Sequence, residues 1–186
     1  HLIPTTDGPT YPAPPLSGPA ALSRCRRWLA ALRSRSDTPP SADPWRASVA
    51  QGAYELGAVI GCDVSGFGDP DYLPVAAAAG ATVIATHIRL KPRVADPEPV
   101  YDAVARDGGA FFLDRAQLAL AACVAPYRTV AYPRLDYSKT FPSALDTLHT
   151  AHTLVTHVKS FTLFESLNHL PDTMPLSQVQ SHTAWT

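Results

Sequence analysis

Four polar side chains in the sequence are of types that bind rings or exchange protons, and each stands beside a predicted element. Asp43 precedes a helical pattern, Asp63 follows the apolar run "AVIGC", and His87 follows "ATVIAT". A carboxylate accepts hydrogen bonds from a polar ring, and an imidazole exchanges a proton near neutral pH. Lys139 stands in "SKT", just before another helical pattern, where an ammonium can hold an anion. These residue types predict a binding or catalytic site if the fold brings them together.

The elements that must position these residues alternate between strand and helix patterns. Strands are predicted at 39–43, 58–64, 81–88, 127–132 and 160–166, the first of them very short because of its prolines. Helices are predicted at 20–36, 44–56, 70–79, 101–122 and 143–158. Strands that alternate with helices over short connections are typical of a parallel α/β sheet, either open or closed into a barrel.

The two ends of the chain carry weaker patterns. Residues 1–20 are rich in Pro, Gly and Thr, which predicts an irregular loop, and 171–186 are polar and interrupted by proline. Residues 1–170 are therefore predicted to form a single α/β domain, followed by an irregular tail. The chain begins at His1 rather than at methionine, which fits a processed product or a fragment.

In a parallel sheet, polar groups just beyond the carboxyl ends of the strands lie on a common rim, so the four side chains are expected to gather there. For three of these side chains, a purely structural role is an open alternative to binding or catalysis. Asp43 fits the N-cap of the helix at 44–56. Asp63 fits an anchor for the turn that follows it, and His87 fits a hydrogen bond to nearby backbone.

Charge and cysteine content narrow the classes of function. The chain has 15 basic and 16 acidic residues, so it lacks the basic excess of most nucleic-acid binders. The sequence contains no apolar run of roughly 18 residues, so no membrane span is predicted, and no signal peptide is recognised. The three cysteines show no C-x-x-C spacing, which predicts reduced thiols in the cytoplasm. His149 and His152 share a helix face without a carboxylate at ligand spacing, so no metal site is predicted there.

A longer stretch of the sequence is similar to one known family. Within residues 41–88, "DVSG" ends one strand and "TH" ends the next, and "PEPVYDAV" and "RLDYSKTFPSALDTL" follow in order. Together these motifs resemble dihydropteroate synthase over residues 40–150 and, more weakly, to about residue 170. Methyltetrahydrofolate-binding methyltransferase domains share the same ancestral pterin-binding barrel and are a second relative.

The resemblance implies a (β/α)8 TIM-barrel-like pterin-binding fold that is incomplete, with about four to six strands in this chain. It implies a transferase of folate biosynthesis that condenses p-aminobenzoate with a hydroxymethyl-dihydropterin diphosphate. Mg²⁺ is the implied cofactor, although the family's asparagine ligand is absent. The implied partners are the two substrates, without nucleic acid or membrane, and the incomplete barrel implies a homo-oligomer or a subunit of a larger assembly.

Four residues are implied or expected to bind the substrates. Asp43 and Asp63 match carboxylates of the family's site, and Cys62 replaces the asparagine that binds the pterin there. Arg89 begins a basic loop at the predicted mouth of the barrel. It is expected either to bind an anionic part of the substrates or to be a solvated loop charge.

His87 and Lys139 match the family's strand-end histidine and Gly-Lys-Thr lysine, and they are the candidate catalytic residues. Other family positions differ. The family has an aspartate followed by Pro-Gly or Ala-Gly where this chain has Tyr132, Pro133 and Arg134. A tyrosine offers one hydroxyl and cannot form the two-pronged contact of that aspartate with a pterin. The lysine of the family's later Ser-x-Lys motif is missing as well. These differences favour an alternative, a catalytically degenerate homologue that acts as a structural or partner-binding subunit.

Overall fold

The computed structural model describes residues 2–3, 16–92, 94–134, 139–149 and 162–163. Within this part, six strands form one parallel sheet, in the order in which they follow along the chain. They are β1 (Leu2–Ile3), β2 (Ser41–Ala42), β3 (Ile60–Asp63), β4 (Thr82–Thr86), β5 (Thr129–Tyr132) and β6 (Thr162–Leu163). The predicted parallel α/β sheet is confirmed, and the strand count lies at the upper end of the expected range.

Helices connect the strands. They are α1 (Gly18–Arg33), α2 (Ala47–Glu55), α3 (Tyr72–Ala78), α4 (Val104–Ala121) and α5 (Phe141–His149), with a short 3₁₀-helix at Pro126–Arg128 before β5. α1 begins where expected from its residues, because Ser17 Oγ accepts the Ala20 N–H at 3.3 Å and Pro19 lies in the first turn. None of the helices in these described ranges combines the length and the apolarity needed to cross a bilayer.

The sheet has two chemically different faces because successive strand residues point to opposite sides. On one face, Val83, Ala85 and Ala131 join a large core with residues of the helices, among them Leu29 of α1 and Phe112 of α4. The opposite face carries a separate small cluster. This cluster, called the inner face below, consists of Ile60, Cys62, Ile84, Val130 and Tyr132.

The start of α2 differs from the predicted helix at 44–56 with Asp43 as its cap. α2 begins at Ala47, and Arg46 before it is extended, with φ −106° and ψ 131°. The Ala47 N–H donates to Oδ2 of Asp69 at 2.8 Å. The carboxylate that caps α2 therefore comes from the loop after β3, and the predicted capping role of Asp43 is wrong.

Other boundaries differ less, except at the N-terminal end. α4 begins at Val104 rather than near residue 101. The irregular loop predicted for residues 1–20 is wrong in two places, because Leu2–Ile3 pairs with β2 and α1 begins at Gly18. The tail predicted at 171–186 lies outside the described residues.

Candidate functional site

Two candidate residues that are adjacent in β3, Cys62 and Asp63, lie on opposite faces of the sheet. Cys62 packs with Ile84 and Tyr132 on the inner face. Asp63 lies on the helix side, where burial and, among smaller effects, its negative charge raise the pKa of Tyr54 to about 12. The alternation of side chains along a strand therefore separates two residues that were both expected to bind the pterin.

Asp63 anchors the loop that follows β3. Its Oδ1 accepts hydrogen bonds from the N–H and the hydroxyl of Ser65, both at 2.6 Å, and its Oδ2 accepts one from the Phe67 N–H at 2.9 Å. The side chain is fully buried, and burial raises its pKa to about 7 against the lowering effect of these hydrogen bonds. Both carboxylate oxygens accept hydrogen bonds from this loop, so the turn-anchor role considered for Asp63 is confirmed.

Asp43 directly follows β2 and lies near the inner face. Ala42 before it belongs to the helix-facing core, so Asp43 points to the other side. Burial, followed by the charge of Asp43, raises the pKa of the Cys62 thiol well above its ordinary range. Cys62 Sγ also lies 3.7 Å from Thr86 Oγ1. β2, β3 and β4 therefore each bring a polar group to this face.

The end of β5 adds an aromatic ring and a cation. Tyr132 is the register partner of Thr86 and is 7% exposed. Arg134 Cζ lies 5.9 Å from the centroid of the Tyr132 ring, within the range of a cation–π contact. Arg134 is also near enough to Cys62 for its charge to lower the pKa of the thiol, although burial and the charge of Asp43 outweigh this effect.

The two candidate catalytic residues, His87 and Lys139, lie in contact. Lys139 Nζ is 3.2 Å from His87 Nδ1 and donates a hydrogen bond of 2.6 Å to the Pro133 carbonyl. The backbone N–H of His87 donates to the Tyr132 carbonyl at 2.9 Å. This arrangement, named the His87–Lys139 clasp, joins the end of β4 to the segment that follows β5.

The surroundings of the clasp keep His87 neutral. The imidazole is buried among Tyr101, Phe111 and Phe112, and the Phe111 ring stands edge-on at a centroid distance of 5.0 Å. Burial and then the charge of Lys139 lower the pKa of His87 to about 3. Because an ammonium only donates, we assign Nδ1 as the acceptor and place the ring proton on Nε2. At neutral pH His87 is therefore suited to hold Lys139 rather than to exchange protons.

Arg89, expected at the mouth of the site, is paired with a carboxylate of its own loop. Its Nε and Nη2 donate to the two carboxylate oxygens of Asp96, both at 2.7 Å. The hydrogen bonds from Arg89 lower the pKa of Asp96, whose side chain is 7% exposed. This two-pronged contact stabilises the loop between β4 and α4. Arg93, from the same predicted basic loop, lies outside the described residues.

Sequence reasoning misses two residues near the inner face, Thr86 and Arg134. Thr86 follows Ile84 by two positions in one strand, so side-chain alternation is a signal that could have found it. Arg134 gives no such signal, because its place depends on a backbone φ of 50°, which an arginine rarely adopts.

Comparison with known proteins finds a family match and a curated relative. Residues 9–169 match the family described as pterin binding enzyme. The chain is 32% identical over 142 residues to dihydropteroate synthase from Synechocystis, a match that covers 75% of this chain and 49% of that protein. The chain thus spans about half the length of this relative.

Solved structures of TIM-barrel enzymes share the fold. Dihydropteroate synthase from Stenotrophomonas maltophilia gives a TM-score of 0.79 at 22% identity, covering 90% of this chain and 65% of that one. The Yersinia pestis dihydropteroate synthase in complex with a sulfonamide drug gives 0.78 at 24% identity, covering 89% of this chain and 60% of that one. At these identities the likeness establishes the fold, of which this chain covers a part.

Proposed function

The chain belongs to the pterin-binding enzyme family, and from this premise we propose that its inner face holds a pterin ring for a dihydropteroate synthase-type transfer. One observation carries the proposal. Four strands in a row bring a side chain to the same face at their carboxyl ends, namely Asp43, Cys62, Thr86 and Tyr132. Ligands of parallel α/β folds bind at that end of the sheet.

The groups on this face suit a flat ring with several N–H donors. Asp43 offers a carboxylate that accepts such donors, and the hydroxyls of Thr86 and Tyr132 add partners that donate or accept. The Tyr132 ring and Ile84 provide apolar surface for the flat faces of the ligand. We leave Asp63 out of ring binding, because its oxygens already accept three hydrogen bonds within its own loop.

The proposed substrates are a hydroxymethyl-dihydropterin diphosphate and p-aminobenzoate. The amine nitrogen of p-aminobenzoate forms a bond to the pterin methylene carbon, the bond from that carbon to the diphosphate oxygen breaks, and the amine releases a proton to solvent. Such a step needs alignment of the two substrates and stabilisation of the leaving negative charge. We assign the second role to Lys139, whose ammonium the clasp with His87 holds at the end of the sheet.

The resemblance also implies Mg²⁺, but the described residues do not fit a Mg²⁺ site built by the protein alone. No three His, Cys, Asp or Glu side chains in the described ranges come close enough together to hold a metal. Mg²⁺ in enzymes is commonly bound by substrate phosphates with one or two carboxylates. We therefore propose that any Mg²⁺ reaches this chain with the diphosphate, and we assign no protein ligand to it.

A second candidate function is supported by the surroundings of Tyr132. This residue is buried in an apolar cluster with Cys62 and Ile84, at the position where the family pattern has an aspartate that contacts the pterin. Loss of a buried charge-assisted contact costs about 1–3 kcal/mol of binding free energy. This favours a homologue that keeps the scaffold and serves as a structural or partner-binding subunit.

Ligand binding and turnover separate the two functions. At a concentration of about 100 times the dissociation constant, 6-hydroxymethylpterin should raise the free energy of unfolding by ~2.7 kcal/mol. Incubation with the pterin diphosphate, Mg²⁺ and p-aminobenzoate should release diphosphate if the transfer occurs. Binding without turnover would contradict the transferase, and absence of binding would contradict the pterin site itself. A native mass above that of one chain would then support the subunit.

Matched variants test whether the inner face is the site. Cys62→Asn and Tyr132→Asp together restore the family's residues on this face, and we expect pterin binding to tighten by about tenfold or more. Cys123→Asn and Tyr127→Asp make the same chemical changes at exposed positions and should leave binding unchanged. Equal effects from the two pairs would place the ligand elsewhere.

A further inference from the structure

Arg134 adopts a backbone conformation that is costly for arginine. Its φ of 50° lies in the left-handed region, where an L-residue with a side chain loses roughly 1 kcal/mol to crowding of its Cβ atom. Glycine takes this conformation without that penalty. Strained residues beside candidate sites are often kept for what their side chains do.

The Arg134 side chain is held against the inner face. Its Cζ lies 5.9 Å from the centroid of the Tyr132 ring, and Arg134 is itself half-buried. Tyr132 packs with Cys62 and Ile84 of the same face. The structure therefore fixes a positive charge beside the surface on which we propose that the ring of the ligand lies.

A guanidinium therefore stands next to a neutral aromatic ring at this corner of the inner face. A guanidinium carries several N–H donors and contacts carboxylates or phosphates in a two-pronged manner while it keeps other contacts.

We propose that Arg134 is a specificity-determining residue. Because of it, the inner face binds a flat heterocycle that carries an anionic group more tightly than the same heterocycle without that group. The inference rests on the proposed pterin site and refines its substrate class. The ring of the ligand packs beside Tyr132, and its carboxylate or phosphate contacts the Arg134 guanidinium.

A second arginine–tyrosine pair of the chain provides a matched control. Arg128 Cζ lies 5.8 Å from the centroid of the Tyr127 ring, almost the same distance as in the Arg134–Tyr132 pair. Tyr127 is 80% exposed, whereas Tyr132 is 7% exposed. Removing either guanidinium therefore removes a cation–π contact of almost the same length, but one change affects the inner face and the other affects the outer surface.

The test compares the dissociation constants of pterin-6-carboxylate and 6-hydroxymethylpterin by titration calorimetry. We expect the unchanged chain to bind the carboxylate about tenfold more tightly, as for one charge-assisted hydrogen bond, and this preference should weaken as salt is added. Arg134→Gln should abolish the preference while the affinity for 6-hydroxymethylpterin changes by less than about twofold. Arg128→Gln should keep the preference.

The possible results are distinguishable. Equal affinities for the two pterins in the unchanged chain, or a full preference in Arg134→Gln, would overturn the role of Arg134 and leave the pterin site standing. If neither pterin binds, the proposed function fails and this inference fails with it. Arg134→Gly removes the guanidinium together with the backbone strain, so it repeats the test in a chain expected to fold even if the glutamine variant does not.

Discussion

Adjacent residues of β3 lie on opposite faces of the sheet, and different interactions stabilise the two faces. On the helix side, Asp63 accepts three hydrogen bonds, and Gly61 lies directly under the hydroxyls of Tyr54 and Tyr72. On the inner face, Cys62 has a 3.7 Å contact with the Thr86 hydroxyl and packs with Ile84 and Tyr132. Hydrogen bonds and close packing specify the helix side, so residue types can change on the inner face at lower cost to the fold.

The sharpest test of this contrast removes the carboxylate of the helix side. Asp63→Ala leaves the donors of Ser65 and Phe67 without their acceptor, so we expect the free energy of unfolding to fall by about 3 kcal/mol or more. Cys62→Ala, one residue away on the inner face, should cost about 1 kcal/mol. Urea unfolding measures both losses, and equal losses would remove the difference between the faces.

Close packing on the helix side predicts the next effect in size. A Cβ atom added at Gly61 would lie 2.0 Å from the hydroxyl oxygen of Tyr54 and 2.5 Å from that of Tyr72. Gly61→Ala should therefore lower the free energy of unfolding by about 2 kcal/mol. Gly108→Ala is the control, because a Cβ there meets nothing within 4 Å and alanine favours the interior of α4, so it should add roughly 0.5–1 kcal/mol. A harmless Gly61→Ala in thermal unfolding would argue against tight packing.

The pH dependence of stability probes Asp63 and His87 together. The pKa of Asp63 is raised from 3.8 to about 7 in the folded chain, so between these values the folded state keeps a proton that the unfolded state has lost. Its contribution to stability is present below pH 3.8 and is lost as the pH rises towards 7. The pKa of His87 is lowered from 6.5 to about 3, so its contribution is present above pH 6.5 and is lost as the pH falls towards 3.

The two slopes oppose each other between about pH 4 and 6.5, and single variants should expose them. Relative to the unchanged chain, Asp63→Asn should gain about 1.4 kcal/mol of stability per pH unit as the pH rises through this window. His87→Gln should change by a similar amount in the opposite direction. Urea unfolding at pH 4.5, 5.5 and 6.5 gives the relative slopes, and slopes of the same sign would refute the assigned protonation states.

The smallest effect concerns the end of β5. Arg134→Gly relieves the left-handed backbone strain and removes the cation–π contact with Tyr132, so we expect a net gain of about 0.5 kcal/mol in thermal unfolding. Arg128→Gly removes the matching outer contact without relieving such strain and should lower stability by a similar amount. A loss from both substitutions would mean that contacts of Arg134 outweigh the strain.

Apolar runs and their flanking residues were sufficient to predict β3, β4 and the alternation of helices and strands. They could not assign the cap of α2, because Asp69 comes from a different loop and the local candidate, Asp43, points elsewhere. The pairing of Arg89 with Asp96 likewise depends on the path of a loop rather than on a periodic pattern. Properties that depend on neighbours in sequence were thus predictable, whereas those that depend on loop geometry needed coordinates.

The candidate site shows the same limit. The prediction placed Cys62 and Asp63 together at the end of one strand, and strand alternation alone could have separated them. It also brought His87 and Lys139 to one end of the sheet, but their contact requires Pro133 to present its carbonyl to the lysine. That contact depends on the segment after β5, which no local pattern specifies.

The strands lie across the sheet in the same order in which they occur in the chain, and this has a consequence for how the protein is made. Each strand pairs with the next strand along the chain, which is one helix away. Pairing between consecutive strands keeps the sequence separation of contacts lower than pairing between distant strands would, and a lower separation favours faster folding. The sheet can therefore grow during translation, one strand and helix at a time, from the N-terminal side as the ribosome releases the chain.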